Sequence, residues 1–164
     1  MSQTRQARIY DYFIDEHGSW LCEGNPVTDP QLFRVLSRSL FESDGRYFIR
    51  CEGEVHPVRV ADAPLWVRYV FPRLDKERGL TIVELELQDG RREILDPATL
   101  VLSPDAAALY CLATPRRLRT RFGKVAYYEL ARYIEEDEEA RAFHLVVNGR
   151  RFDIRPRSGS PEGQ

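Results

Sequence analysis

The sequence lacks the signatures of the common enzyme classes. It contains no P-loop, no Gly-x-Gly-x-x-Gly turn after a strand, no Gly-x-Ser-x-Gly elbow and no His-Glu-x-x-His zinc motif. Its three histidines, His17, His56 and His144, are isolated, and no pair of residues has the spacing of a metal site. We therefore predict a protein with no catalytic residues, no metal and no cofactor.

Long apolar runs and paired cysteines are also missing. No uninterrupted apolar stretch approaches the roughly 18 residues that a membrane-spanning helix needs, and the polar start at residues 1–6 does not resemble a secretory signal. The three cysteines, Cys22, Cys51 and Cys111, have no Cys-x-x-Cys spacing and lie in apolar runs, as buried thiols do. These absences predict a cytoplasmic protein with no membrane partner.

Lysine is rare in the sequence, and the chain carries no excess of positive charge. Only Lys76 and Lys124 are lysines among the 24 basic residues, and the net charge is −2 with a pI of about 6.0. Because nucleic-acid-binding domains are usually basic, this balance disfavours a nucleic-acid partner. The 164 residues, 43% of them hydrophobic, suit one domain or two small lobes that share a core.

Alternating apolar and polar residues predict hairpins, and two segments predict helices. Thr28 to Gln31 has the capping residues of a helix start, and Leu32, Phe33, Leu36 and Leu40 form its inward stripe. A second helix is predicted from about Phe122 to Glu136, with Val125, Tyr127, Leu130 and Ile134 inward. Asp89-Gly90 and Asn148-Gly149 predict type I′ turns. Strands are predicted at 9–23 (a hairpin around His17-Gly18), 47–52, 55–61, 65–71, 81–87, 92–95, 99–102, 109–113, 143–147 and 152–155.

The helix and the hairpin that follows it occur twice. The apolar residues of the two predicted helices are displaced by 94 positions: Phe33, Leu36 and Leu40 correspond to Tyr127, Leu130 and Ile134. The hairpins that follow are displaced by 96 positions: Tyr47, Gly53 and Val58 correspond to Phe143, Gly149 and Ile154. Any helix followed by a hairpin shares some of this pattern, but not the aligned turn glycine. We predict an α+β fold of two similar hairpin–helix–hairpin lobes with mostly antiparallel sheets. The tail is 1–8, the lobes are 9–73 and 74–156, and a disordered tail is 157–164.

Several short motifs resemble a known family. Four segments are similar to the signature of the bacterial domain of unknown function 1285 family. They are Gly18-Ser19-Trp20, Gly24 to Val27, Val60 to Pro64 and Tyr127 to Leu130. The resemblance implies a duplicated α+β fold whose second lobe is superficially like a pleckstrin-homology domain. It also implies a site between the lobes for a nucleotide-like ligand in signal transduction.

The densest chemical feature is a run of arginines before the second helix. Arg116, Arg117, Arg119 and Arg121 are followed by Lys124, while the first repeat is neutral at the comparable place. Helix N-terminal N–H groups and arginine forks both attract phosphate or carboxylate. The alternative is that these arginines balance the acidic run Glu135 to Glu139.

Two further residues complete the predicted ligand site. Trp20 is included because an aromatic side chain near a basic patch can stack on a base, although packing in the core is the plainer reading. Asp62 is included although it also reads as a turn residue before Pro64.

We therefore expect a binding or regulatory module for an anionic, nucleotide-like ligand between its lobes. The alternative is a protein–protein adaptor that uses the acidic helix end and an exposed edge strand. An enzyme would need His17 or His56 gathered with a carboxylate in a pocket. The sequence predicts no oligomeric state.

Overall fold

The computed structural model describes residues 8–113 and 115–157, which form parts of two compact units. The first unit is Met1–Pro64 and the second is Leu65–Gln164. The sequence places this boundary at residues 73 and 74, and the structure corrects it because the strand Leu65–Asp75 pairs along its length within the second sheet. The predicted tails at 1–8 and 157–164 lie outside the described residues except for Arg8 and Arg157.

The first unit is a six-stranded sheet with one helix. Its strand order is β3-β2-β1-β6-β5-β4, in which β1 and β6 are parallel and all other neighbours are antiparallel. The elements are β1 Tyr12–Ile14, β2 Trp20–Cys22, β3 Asn25–Pro26, α1 Pro30–Arg38, β4 Phe41–Ser43, β5 Arg46–Cys51 and β6 Glu54–Val60.

Helix α1 begins as the sequence predicts. The Asp29 side chain accepts a hydrogen bond from the Gln31 N–H, and Pro30 occupies the first turn, where its missing N–H costs nothing. Leu36 and Leu40 are buried, whereas Leu32, which was predicted to face inward, is 44% exposed. The apolar stripe of this short helix is therefore narrower than the sequence indicates.

The second unit is a nine-stranded sheet with one α-helix and one short 3₁₀ helix at Pro97–Thr99. Its strand order is β13-β14-β15-β10-β11-β12-β7-β8-β9, and the parallel pairs are β10 with β15 and β12 with β7. The elements are β7 Leu65–Asp75, β8 Gly79–Leu87, β9 Arg92–Ile94, β10 Val101–Leu102, β11 Leu109–Ala113, β12 Leu118–Phe122, α2 Lys124–Ala131, β13 Ile134–Asp137, β14 Ala142–Val147 and β15 Arg150–Pro156.

The two sheets share one connectivity. The series β10-β11-β12-α2-β13-β14-β15 has the same order and strand directions as β1-β2-β3-α1-β4-β5-β6, and β7 to β9 extend the second sheet beyond β12. Tyr47 pairs with Val58 as Phe143 pairs with Ile154, as the predicted displacement requires. The displacement increases from 94 to 96 positions because the second unit has two more residues between its helix and its hairpin. These two residues lie in the β13–β14 turn, which is longer than the Asp44-Gly45 turn. The mostly antiparallel α+β class is confirmed.

The second helix is shorter than the sequence predicts. It spans only Lys124–Ala131, because Phe122 belongs to β12 and Ile134 begins β13. Val125, predicted to face inward, is 58% exposed. Strands β3, β4, β12 and β13 were not predicted. The first two are only two and three residues long, β13 was assigned in part to the second helix, and β12 alternates buried Leu118, Thr120 and Phe122 with two arginines that were assigned to the helix start. Among the described residues, neither helix is long and apolar enough to cross a membrane.

One of the two predicted type I′ turns is wrong. Asn148 and Gly149 both have positive φ, as that turn requires, but at Asp89-Gly90 only the glycine does. Asp89 is buried, and its carboxylate accepts hydrogen bonds from the guanidinium of Arg91 at 2.7 to 3.2 Å. The aspartate therefore serves as a buried ion-pair partner at this turn.

Candidate functional site

The predicted arginine run lies on a strand and the turn before it. Arg119 and Arg121 belong to β12, and because they are two residues apart their side chains point to the same face of the sheet. Arg116 and Arg117 are exposed in the preceding turn, and Arg117 has a φ of 53°. Lys124 is exposed at the start of α2, whose N-cap is Gly123. The predicted placement of the arginines at a helix start is therefore corrected to a strand.

A single row of residues crosses the face that carries these arginines. The strand pairings place Arg155, Val101, Tyr110, Arg121 and Trp66 side by side on β15, β10, β11, β12 and β7. Directly paired residues project from the same face of a sheet. We call this surface the arginine face and define it by Arg119, Arg121, Arg155, Arg157, Tyr110 and Trp66.

Aromatic rings hold the guanidinium groups of the arginine face. The ring centroid of Tyr110 lies 5.7 Å from the guanidinium carbon of Arg119, 5.9 Å from that of Arg121 and 5.0 Å from that of Arg157. The guanidinium of Arg121 also lies 5.1 Å from the Trp66 ring. Arg157 Nη1 donates a hydrogen bond to the Tyr110 hydroxyl at 3.2 Å. Cation–π contacts of this kind fix the position of a charge.

A pocket of about 680 Å³ lies against this face. Four arginines line it, together with Thr99 and Tyr110, and none of the described residues that line it is a carboxylate. The four are Arg117, Arg119, Arg155 and Arg157. A concave surface with several guanidinium groups and no acidic side chain is suited to an anion.

The structure brings together only some of the predicted site residues. Arg117 and Arg119 line the pocket, while Arg121 supports the same face without lining it, and Arg116 and Lys124 do not line it. Sequence analysis missed Arg155 and Arg157, which enter through the parallel pairing of β10 with β15. The one available signal was the displacement that aligns Arg155 with Arg59.

Trp20 and Asp62 belong to the first unit. Trp20 is buried and packs edge-on against Tyr12, with ring centroids 6.2 Å apart, and against Phe33 at 6.5 Å. This packing gives Trp20 a core role within its unit. Asp62 is half-buried in the segment that follows β6.

Among the described residues, the carboxylate of Asp105 interacts electrostatically with Arg121 of the arginine face. Asp105, in the loop between β10 and β11, accepts hydrogen bonds from the Ser103 hydroxyl at 2.7 Å and the Ala107 N–H at 3.0 Å. These bonds, with a smaller contribution from Arg121, lower the pKa of Asp105. The neighbouring Tyr127 hydroxyl donates to the Ala106 carbonyl at 2.6 Å, and burial raises the pKa of Tyr127.

Of the remaining candidate nucleophiles and bases, Cys111 lines the pocket, and His17, His56 and His144 do not. Burial raises the pKa of Cys111, so its thiol stays protonated. His56 Nδ1 accepts the Tyr10 N–H at 3.1 Å, and His144 Nε2 lies 3.0 Å from Glu135. His17 is exposed, 3.6 Å from Glu16. Within 8–113 and 115–157, no three or more His, Cys, Asp or Glu residues gather as metal ligands would.

The fold is an α+β arrangement of two mostly antiparallel sheets, and solved structures share it. The chain is similar to a DUF1285 family protein from Silicibacter pomeroyi DSS-3, with a TM-score of 0.72 and 20% identity over 90% of this chain and 80% of that one. It is also similar to a DUF1285 family protein from Shewanella baltica OS155, with a TM-score of 0.61 and 20% identity over 74% of this chain and 90% of that one. The chain matches no protein-family model and no curated protein. The resemblance to this family is thus confirmed in the fold.

Proposed function

We propose that this chain is a cytoplasmic binding module whose second unit takes a small anionic, nucleotide-like ligand for signalling. The observation that carries the proposal is the pocket that four arginines line together with Tyr110, with no carboxylate among the described lining residues. Arginine presents a planar fork of donors that matches phosphate and carboxylate, which makes it the usual residue for binding such groups.

The geometry of the pocket supports a preformed site. Stacking on Tyr110 restricts the guanidinium groups of Arg119 and Arg157, and the hydrogen bond to the phenol restricts Arg157 further. Side chains that are ordered before binding lose less conformational entropy when the ligand arrives. The pocket lies wholly within the second unit. A ligand position between the lobes, and the likeness of the second lobe to a pleckstrin-homology domain, stay predictions.

Thermal unfolding with a panel of nucleotides and second messengers tests the proposal. A ligand that binds only the folded state raises the melting temperature in proportion to the logarithm of its concentration. Arg155→Ala is expected to reduce the rise at a fixed ligand concentration, because it removes one of the four arginines that line the pocket. Arg59→Ala, the matched substitution in the first unit, is expected to keep it. An unchanged melting temperature at millimolar ligand contradicts the proposal.

One observation favours the alternative, a protein–protein adaptor. The acidic residues 135–137 lie on β13, which is an edge strand of the second sheet, and not at a helix end as the sequence predicts. An edge strand offers unpaired backbone groups to a partner. Binding of basic peptides at low salt that is lost at high salt and with Glu136→Lys would support this function, and no binding at low salt would contradict it.

A further inference from the structure

We infer that the ligand of the arginine face is a small multivalent oxyanion of the diphosphate class, recognised through its charged groups and without stacking of a base. This inference rests on the proposed function, because it specifies what the same pocket binds. Three observations support it. Arginines already contact the aromatic rings of this face, the arginines that line the pocket come from separate strands, and the first unit lacks most of these arginines.

The aromatic rings of this face already hold arginines. Tyr110 is 4% exposed and Trp66 is 8% exposed, and guanidinium groups lie within 6 Å of both ring centroids. A base can stack only on a ring whose face is open to solvent. A guanidinium that stacks on a ring keeps its N–H donors in its own plane, and these donors match the oxygen atoms of an oxyanion. The face therefore offers donors for charged groups and no platform for a base.

The arginines that line the pocket come from strands on both sides of Tyr110. Arg155 on β15 and Arg119 on β12 lie three strands apart, which is about 14 Å at a strand spacing of about 4.8 Å, and Arg119 is two residues further along its strand, so their backbones are roughly 16 Å apart. Arg157 reaches between them to the Tyr110 hydroxyl. A ligand with two linked anionic groups can contact arginines from both sides of Tyr110, whereas one tetrahedral anion contacts fewer of them.

The first unit shows what the same face looks like without these donors. In the second sheet the row contains Arg155, Val101, Tyr110 and Arg121. In the first sheet the corresponding residues are, in the same order, Arg59, Phe13, Leu21 and Pro26. Gly24 takes the place of Arg119, since both lie two residues before the β3 or β12 member of this row. The first unit therefore keeps one arginine of the row and replaces the other with proline.

The remaining arginine of the first unit is neutralised. Arg59 donates to both carboxylate oxygens of Asp11, at 3.2 and 3.0 Å. The position of Asp11 is occupied by Thr99 in the second unit, since each lies two residues before the residue that pairs with the arginine. Arg155 thus has a neutral hydroxyl residue where Arg59 has a carboxylate. The second unit has both gained cations and lost the anion that would compensate one of them.

Calorimetric titration of the full chain with inorganic pyrophosphate, ADP, citrate and adenosine tests the inference. Pyrophosphate and ADP are expected to bind with dissociation constants within about tenfold of each other, and adenosine is expected to give no heat. Arg157→Lys, which keeps the charge but loses the planar fork, should weaken pyrophosphate about fivefold or more. The matched first-unit variant Arg59→Lys should leave its affinity unchanged.

The outcomes separate this inference from the proposed function. Binding of adenosine, or ADP binding about a hundredfold tighter than pyrophosphate, overturns the inference and leaves an anion site. Binding of citrate without pyrophosphate does the same. Failure of every anion overturns both. Sedimentation with phosphatidylcholine vesicles that contain phosphatidylinositol bisphosphate identifies the source: co-sedimentation that pyrophosphate abolishes indicates a lipid headgroup, and its absence with retained pyrophosphate binding indicates a free diphosphate.

Discussion

The two units have the same strand connectivity but different surface chemistry. Leu36 and Leu130 are buried at corresponding places on the two helices, and Ile49 and Leu145 at corresponding places on the two hairpins. On the arginine face, Arg121 corresponds to Pro26, and Arg155 corresponds to Arg59, which is paired with Asp11. Buried positions must fill space that the connectivity fixes, whereas a solvent-facing sheet position can change charge at little cost to stability. The difference locates the chemistry of this chain on the second unit.

The largest expected effect comes from substitutions at the corresponding buried core positions of the two units. Leu36→Ala and Leu130→Ala should each lower the free energy of unfolding by about 2–5 kcal/mol, because each removes a fully buried side chain and leaves a cavity. Urea unfolding measures this loss. Leu32→Ala is the control, since Leu32 is largely exposed and should cost under about 0.5 kcal/mol. A Leu36→Ala cost as small as that of Leu32→Ala would show that the two helices are not equivalent.

The charge contrast can be broken by moving one carboxylate between the units. Thr99→Asp gives Arg155 the neighbour that Arg59 has, and should weaken pyrophosphate binding about tenfold, or about 1.4 kcal/mol. The new carboxylate can still accept the Leu112 N–H that the Thr99 hydroxyl now accepts at 3.2 Å. Titration calorimetry checks the affinity, and Asp11→Thr in the first unit should not change it. Equal affinity for Thr99→Asp and the natural chain would remove Arg155 from the site.

The two matched hairpin turns allow a finer test of equivalence. Gly53 and Gly149 have φ values of 80° and 76°, and an added Cβ would meet no atom within 4 Å at either. Alanine should therefore cost only the backbone term, about 1 kcal/mol at each turn. Chemical unfolding of Gly53→Ala and Gly149→Ala checks this. If the two costs differ by more than about 1 kcal/mol, the two turns are not equivalent: one hairpin is then held by its surroundings and the other by its turn.

Much of the fold could be predicted because its signals are local. The cap at Asp29, the Asn148-Gly149 turn and the long alternation of β8 are each contained in a few neighbouring residues. Strands β4 and β13 are short hairpin strands whose charged residues leave no apolar alternation, and the alternation of Leu118, Thr120 and Phe122 in β12 was overlooked beside its arginines. The Asp89-Gly90 turn was misread because Asp89 is buried and forms an ion pair with Arg91, an interaction that a turn dipeptide does not encode.

The candidate site was only half predictable for the same reason. Arg117 and Arg119 were identified because they are close together in the sequence. Arg155 and Arg157 join them only through β10 and β11, which place residues from distant parts of the chain in one row. The charge contrast between copies was visible at the arginine run, but the neutralising role of Asp11 needed the parallel pairing of β1 with β6.

The smallest expected effect concerns the loop that borders the arginine face. The pKa of Asp105 is lowered by the Ser103 hydroxyl, the Ala107 N–H and Arg121, so its ionised form stabilises the fold. That contribution is present above the ordinary carboxyl pKa of about 3.9 and is lost as the pH falls through the lower value of the folded state. Asp105→Asn should therefore lower the melting temperature slightly at neutral pH and match the natural chain in strong acid.

A double-mutant cycle separates this loop effect from a general change of charge. Ser103→Ala removes the hydroxyl that donates to Asp105 at 2.7 Å, so its effect should overlap with that of Asp105→Asn rather than add to it. Thermal unfolding of both single variants and the double variant across the acid range measures the overlap. Strict additivity, or an Asp105→Asn deficit that persists in strong acid, would mean that the hydrogen-bonded carboxylate does not stabilise this loop. The second unit would then hold its arginine face without the support of Asp105.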